Sequence, residues 1–343
     1  MIKVAVVVAM KNEEAGIGRC LDSFLAQTLP YDEFQVVIYD GNSSDGSMRV
    51  VKDFEDAHPE LNLILHDNEK QVQSAAWNTG FEEAKTPFVV MMGAHTIVAP
   101  DFLEQNLKIH DGCNCPCTGG LVEAKGVDVR SKSIAAAFNT QFGSGNAKYW
   151  HGASEEEVET VAFGMYRKEV VANIDPLDEN IIRGQDWEFN YRITQKYGLM
   201  KFSPAIRCEY SSRSDFLSLW KRQYQAGMWK IYIIKKHPRS MLLRHFIPMF
   251  YCALLALSVS LFVLQGVILP LLGLLGAYIL ANLMSTRRVT ANNNTLSSRY
   301  VSLAFMMIHF GYGYGELWGI IYFFFLGKHE SLVKSDIGIR NSV

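Results

Sequence analysis

The chain has 343 residues, 49% hydrophobic and 20% charged, with 33 Lys and Arg against 35 Asp and Glu for a net charge of −2. That balance, with only six cysteines, excludes a disordered chain, a collagen-like repeat and a small disulfide scaffold. The average hides a division. Residues 1–240 carry 26 basic and 32 acidic side chains, a net of −6, whereas residues 241–343 carry 7 and 3, a net of +4. The 41 residues from Phe246 to Thr286 hold no charge, while a single membrane span needs only about 20 apolar residues. The expectation is a membrane-attached protein rather than a purely soluble one.

The apolar stretch Val4 to Met10 is followed at once by Lys11, Asn12, Glu13 and Glu14. With no small-residue cleavage site, it reads as a buried first strand and not as an export signal, so the N-terminal domain is expected in the cytosol. Strands over 4–9, 35–40, 62–66 and 87–92 then alternate with helices over 14–27, 47–57 and 74–84. Fully apolar strands separated by helical segments predict an α/β fold, a mostly parallel twisted sheet with helices on both faces. Ligands of such sheets bind beyond the carboxyl ends of the strands. The polar groups at those ends are Lys11-Asn12-Glu13, the run Asp40 to Gly46, and Gly93-Ala94-His95-Thr96.

Cys113, Cys115 and Cys117, with His110 nearby, raise a metal site. Structural zinc sites space paired cysteines by two to four residues, whereas alternation favours one face of a strand. Segment 126–157, rich in Gly, Ser and Lys, reads as a mobile loop. A short strand near 158–163 and a helix from Gln185 to Tyr197 follow. Over 214–238, Trp220, Tyr224, Trp229 and Tyr232 interleave with Lys221, Arg222, Lys230, Lys235 and Lys236. That mixture fits a helix in the membrane interface, with a soluble amphipathic helix as the alternative.

The uncharged run divides into spans over 246–264 and 267–284, each reaching about 27–28 Å. Seven Lys and Arg over 221–244, and Arg287, Arg288 and Arg299 after the second span, place both flanks in the cytosol. Segment 300–326 either crosses or re-enters. Its Gly311, Gly315 and Gly319 recur at the spacing of a helix-packing face. His309 and Glu316 share a face there, as a functional pair or as a buried structural one. The domains are thus a cytosolic catalytic unit over 1–213, an interfacial helix over 214–240, a membrane domain over 241–326 and a tail over 327–343.

The run DGNSSDGS, Asp40 to Ser47, follows a buried strand and opens a helix. Asp40 is placed to accept hydrogen bonds from a base or ribose edge. The small residues let backbone N–H groups approach a diphosphate at the helix start. The same residues also make ordinary turns.

Three segments, VVVAMKNEE, VVIYDGNSSDGS and QSAAWNTGFEEAKTPFVVMMGAHT, resemble family 2 glycosyltransferases of the A-type nucleotide-sugar fold. Further on, VETVAFGMYRKEV, LDENIIRGQDWEFNYRI, RQYQAGMWK and HFGYGYGELWG are similar to the bacterial exopolysaccharide, succinoglycan-type subgroup. The order holds over nearly the whole chain. The resemblance implies an inverting transferase that uses a nucleotide sugar, a UDP-sugar above all, bound by Glu13, Asp40, Asn42, Asp45, Gln73 and Asn78. It implies Asp186, in GQDWE, as the general base that takes a proton from the acceptor hydroxyl. Where the family carries Glu-Asp this chain has Gln185-Asp186, and where it carries Asp-x-Asp this chain has Gly93-Ala94-His95. Mn²⁺ or Mg²⁺ held by His95 and the diphosphate is expected over a metal-independent site, although loss of a carboxylate weakens it.

Trp187, Arg222, Gln223 and Trp229 are the implied acceptor contacts, against an alternative in which the aromatics only anchor a helix. The implied acceptor is a lipid-linked saccharide at the cytosolic face of the cytoplasmic membrane, in exopolysaccharide or cell-surface glycan synthesis. A polyprenyl-phosphate sugar transferase, a processive synthase and a non-catalytic sugar-nucleotide sensor are the alternatives. A homo-oligomer stays open, and no nucleic-acid partner is implied.

Overall fold

A strand that is apolar at every position must be covered on both faces, and the computed structural model shows this. It describes residues 1–211, 215–291 and 293–327. Ser214 and all but the first residue of the expected tail over 327–343 lie outside the described residues. In chain order the first elements are β1 (Val4–Met10), α1 (Glu14–Leu25), β2 (Phe34–Asp40), α2 (Ser47–Ala57), β3 (Leu63–Asp67), α3 (Gln73–Glu83), β4 (Phe88–Gly93), β5 (Thr96–Val98) and α4 (Phe102–Gly112). Next come β6 (Cys117–Lys125), α5 (Val129–Phe138), α6 (Gln141–Ser144), α7 (Lys148–His151), β7 (Glu156–Val158), β8 (Met165–Arg167), α8 (Lys168–Ala172), α9 (Gln185–Tyr197) and β9 (Met200–Ser211). Long helices follow: α10 (Phe216–Lys236), α11 (Ile247–Gln265), α12 (Leu269–Thr290) and α13 (Ser298–Ile320). The described residues form two compact units, 1–123 with 147–211, and 124–146 with 215–327.

In the first unit β1 divides its side chains between two cores. Val4, Val6, Val8 and Met10 enter one with Ile17, Leu21 and Phe24 of α1. Ala5 and Val7 enter the other with Ala76, Trp77 and Phe81 of α3. The sheet order is β3-β2-β1-β4-β8-β6-β9-β5, with β7 also on β9. Pairing is parallel across β3, β2, β1 and β4. It is antiparallel for β4 with β8, β8 with β6, and β9 with β5 and β7. The parallel half is the part that periodicity made visible; the rest of the sheet is mixed.

Three local expectations change. Segment 126–157 is not a loop but carries α5, α6 and α7. α5 is started by a capping box in which Asp128 accepts from Ser131 N and Ser131 Oγ accepts from Asp128 N. Residues 159–163 are irregular between β7 and β8. Of the three alternating cysteines only Cys117 lies in a strand, while Cys113 and Cys115 precede it as a disulfide pair. His110 is buried, with Nε2 3.0 Å from the Met165 carbonyl, and burial lowers its pKa to about 4.

In the second unit α13 is the central helix, burying Val301, Ala304, Phe305 and Ile308. Its glycines meet α10 reciprocally. A Cβ at Gly315 would stand 2.1 Å from the Tyr224 carbonyl, and one at Gly227 would stand 2.1 Å from the Tyr312 carbonyl. Backbones can approach this closely only where no side chain intervenes. The aromatic residues of α10 consequently pack inward: Trp229 is buried against Tyr232 and Phe323, and Trp220 faces Tyr314.

Leu243–Gln265 and Leu269–Thr290 are long and apolar enough to cross a membrane, and they expose Leu254, Leu257, Ile279 and Leu280. Segment 300–326 differs from them in burying one whole face, from Val301 to Gly319, while Tyr314, Trp318 and Phe325 stay exposed. His309 meets the Tyr278 hydroxyl at 3.1 Å and the Phe142 carbonyl at 2.7 Å. Glu316 is fully buried.

Alanine is favoured over glycine by about 1 kcal/mol inside a helix, so Gly273→Ala in α12, where a Cβ meets nothing, is expected to leave the thermal midpoint level or raise it. Gly227→Ala is expected to lower it, because overpacking costs about 1–3 kcal/mol. Equal midpoints for the two variants in detergent would refute the close approach.

Candidate active site

Parallel register brings the ends of β1 and β2 side by side, with Met10 opposite Asp40. The loops that follow are laced together. Asp40, buried, accepts from Ser43 N at 2.9 Å and from Ser43 Oγ at 2.5 Å. Ser43 Oγ in turn accepts from Asn12 N at 2.9 Å, and Asn12 Oδ1 accepts from Ser44 N at 2.8 Å. Asn12 and Asn42 both hold positive φ, 53° and 60°, a conformation that asparagine tolerates better than most residues. Ser47 Oγ accepts from Glu13 N at 2.7 Å, tying the starts of α1 and α2.

Asp45 belongs to the same lacing. It accepts from Glu14 N at 3.1 Å, Ser47 N at 3.0 Å and Ser47 Oγ at 2.5 Å. Desolvation acts to raise its pKa, but these bonds to the ionised form outweigh it and hold the carboxyl below the usual range.

Beyond β4 lies a second group. His95 Nδ1 is 3.0 Å from Glu13 Oε1, and the ring edge meets Tyr210 at 5.6 Å between centroids. Glu13 is thus on the histidine. The pair resembles the carboxylate–imidazole arrangement in which one ring nitrogen is held and the other is presented. A Cβ at Gly93 would sit 3.5 Å from His95 Cε1 and 3.6 Å from Gln73 Nε2, ordinary van der Waals contact. Among the described residues no cluster of three or more His, Cys, Asp or Glu could hold a metal. Gln73 Oε1 lies 3.5 Å from Gln185 Nε2, linking this group to the start of α9.

Gly184, at φ 76°, turns the chain into α9, and Asp186 and Trp187 follow in its first turn, both half-buried. Trp187 and Tyr191 lie in nearly parallel planes, 7° apart, with centroids 6.1 Å from each other. Buried polar bonds fix the helix behind them. Glu188, fully buried, pairs with Arg192 at 2.9 Å, and Arg192 also donates to the Pro176 carbonyl at 3.0 Å. Asn190 accepts from the Tyr166 hydroxyl at 2.7 Å and donates to the Val161 carbonyl at 2.9 Å.

Several expected site residues are committed elsewhere. Asn78 accepts from Leu177 N at 2.8 Å and donates to Leu177 O at 2.9 Å. It clamps the segment leading to α9. Asp45 serves the α1 and α2 starts. In the second unit Gln223 and Trp229 are buried helix-packing side chains, and Arg222 lies 5.6 Å over the Phe138 ring. The strand ends therefore gather Glu13, Asp40, Asn42, Gln73 and His95. Ser43, Ser47, Glu188, Asn190 and Tyr166 were not singled out from the sequence. The serines of DGNSSDGS were the available signal for the first two.

The architecture, with carboxylate-bearing strand ends on a half-parallel sheet, is the A-type glycosyltransferase fold. It matches S. aureus TarS 1–349 solved with UDP at TM-score 0.51, 18% identity and coverage of 92% of this chain and 90% of that one. It matches the mannosyltransferase PcManGT from Pyrobaculum calidifontis, solved with GDP-Man and Mn²⁺, at TM-score 0.58, 17% identity and coverage of 92% and 87%. The sequence model of glycosyl transferase family 2 matches residues 5–174, and the chain belongs to that family. One relative, 26% identical over 239 residues, is the dolichyl N-acetyl-alpha-D-glucosaminyl phosphate 3-beta-D-2,3-diacetamido-2,3-dideoxy-beta-D-glucuronosyltransferase of Methanococcus voltae, with 68% of this chain and 74% of the relative covered. Another is glycosyltransferase AglE of Haloferax volcanii, 26% identical over 231 residues and covering 67% and 73%. Neither name points to the succinoglycan-type subgroup.

Asn78→Leu removes both bonds to Leu177 and is expected to cost about 2 kcal/mol, roughly 1 kcal/mol for each. Amide exchange over 175–184 should accelerate with it. Unchanged exchange there would show that Asn78 is not the clamp.

Proposed function

We propose that this chain transfers one sugar, with inversion, from a UDP-sugar to a lipid-linked saccharide at the cytosolic face of the cytoplasmic membrane. The observation that carries the reading is Asp186, in the first turn of a helix locked by buried polar bonds and joined through Gln185 to the strand-end group. An acceptor hydroxyl attacks the anomeric carbon as the nucleoside diphosphate departs. Asp186 takes the hydroxyl proton in that displacement, a contribution of about 10²–10⁴-fold. Asp40, with Asn42, meets the nucleoside, and Gln73 and His95 face the diphosphate. Trp187 offers a face for the acceptor sugar to stack on.

A divalent cation fits here only as a partner shared with the substrate: His95 has Nδ1 on Glu13, which leaves Nε2 to the cation, and the other ligands come from the diphosphate. Mn²⁺ or Mg²⁺, when bound, offsets the charge gathering on the leaving group. Support for the acceptor comes from the Methanococcus relative, whose name specifies a dolichyl-phosphate-linked sugar, and from two helices able to anchor the chain in the membrane holding such a lipid. The product enters a cell-surface glycan, of which exopolysaccharide is one class.

Asp186→Asn is expected to abolish transfer while leaving UDP affinity within about twofold, read by isothermal calorimetry, since the base acts on the acceptor and not on the nucleotide. Retained turnover removes the assignment. Mass spectrometry of the lipid product separates one added sugar from a polymer or a sugar phosphate. Replacement of His95 by Ala is expected to erase any gain in UDP affinity on adding Mn²⁺. A parent protein whose UDP affinity ignores Mn²⁺ and EDTA has no such site.

A further inference from the structure

The entry to α5, within the segment expected as a loop, has no part in the chemistry above, and its surface is unusual. Val127 and Val129 are 85% and 51% exposed, although burial is the ordinary state of valine. Lys125, Arg130 and Lys132 surround them, all exposed. Asp128 lies between the valines, but its carboxylate is occupied in capping the helix, accepting from Ser131 N at 2.7 Å.

This tip is fastened to the ends of the membrane-type helices. Arg130 lies 5.7 Å over the Tyr300 ring, and Phe216 at the start of α10 packs on the same ring at 5.8 Å. Ser133 Oγ accepts from Ser297 N at 3.1 Å, where α13 begins. Ser298 Oγ donates to Thr290 Oγ1 at 3.2 Å, joining that start to the last turn of α12. Arg287 and Arg288 precede Thr290 by less than one turn, and Arg299 opens α13, all three exposed. Leu217, 60% exposed, follows Phe216. Three helix starts and one helix end thus present six basic side chains and three exposed apolar ones where the apolar helix α12 finishes, beside Asp215, whose carboxylate caps α10 on Leu217 N and Ser218 N.

We propose that the α5 tip is a membrane-docking surface that seats Val127, Val129 and Leu217 in the headgroup layer of an anionic bilayer, with Lys125, Arg130, Lys132, Arg287, Arg288 and Arg299 on the lipid phosphates. The inference rests on the reading of α11 and α12 as membrane spans. Charge selects the occupant. Basic residues beside exposed apolar ones match an anionic lipid surface, where each cation adds to the attraction and the apolar groups leave water. The position agrees, because the end of a spanning helix is where the headgroups lie.

The test uses the full chain in lipid nanodiscs of phosphatidylcholine with or without phosphatidylglycerol, labelled with nitrobenzoxadiazole at Val127→Cys or at Leu257→Cys in α11. The free cysteines Cys20, Cys117, Cys208 and Cys252 are buried and spare the label. Nitroxide-headgroup lipid is expected to quench the label at 127, with a blue-shifted emission, only when phosphatidylglycerol is present. Lys125→Glu with Lys132→Glu is expected to remove that response. A label at 257 that is shielded from aqueous iodide, beside one at 127 that stays unquenched and unshifted, overturns the docking while keeping the spans. If the label at 257 is open to iodide, the membrane reading fails and the docking with it. Equal quenching at 127 without phosphatidylglycerol overturns the anionic selectivity. A response at 127 that appears only on adding polyprenyl phosphate assigns the surface to the acceptor lipid instead, and overturns the proposal.

Discussion

The burial of β1 on both faces is the constraint on which the first unit depends. A strand with Val4 to Val8 wholly enclosed cannot slide by one residue without exchanging the side chains of its two cores. Its register against β2 and β4 is thereby held, and with it the positions of Met10, Asp40 and Gly93 at three adjacent strand ends. The polar network beyond those ends inherits its geometry from apolar packing. Ser43 can serve both Asp40 and Asn12 only because the two strands stop at the same level.

The second unit rests on a different device. Here two helices meet by close backbone approach at glycine. Gly227 and Gly315 each face the other helix's backbone, which explains why Trp229 turns inward rather than to a membrane interface. The same packing makes α13 the centre of its unit. Its polar residues sit among neighbouring helices, whereas α11 and α12 carry the exposed leucines.

What the sequence made legible follows from these forces. Alternation of apolar strands and amphipathic helices reveals β1 to β4 and α1 to α3 because each obeys one period over its whole length. α5 escapes that reading because its start depends on one capping box, and its entry carries valines that the fold leaves outside. The structural bonds of Asn78 were hidden for a related reason. The resemblance alone put Asn78 in the pocket, and only the return of the chain at Leu177 shows what its amide satisfies. Asp45 and Asp40 likewise each serve the loops themselves, Asp45 through Ser47 and Glu14 and Asp40 through Ser43. Short polar side chains serve loops and ligands with the same atoms, so sequence pattern separates the two roles poorly.

The glycine at 93 looks in the sequence like a lost carboxylate. In the fold, that group is a histidine with a carboxylate behind it: Glu13, from the end of a different strand, reaches His95 Nδ1. A carboxylate at 93 would stand beside the imidazole ring. From Glu13 it acts on the histidine, fixing which nitrogen bears the proton and how the ring is aimed. Gly16 supports the arrangement, since a Cβ there would come within 3.2 Å of Glu13 Oε2 and 3.4 Å of His95 Cα. The first turn of α1 is left bare where these two side chains meet. The negative charge that Gly93 does not supply thus stands one step back, on Glu13 against His95.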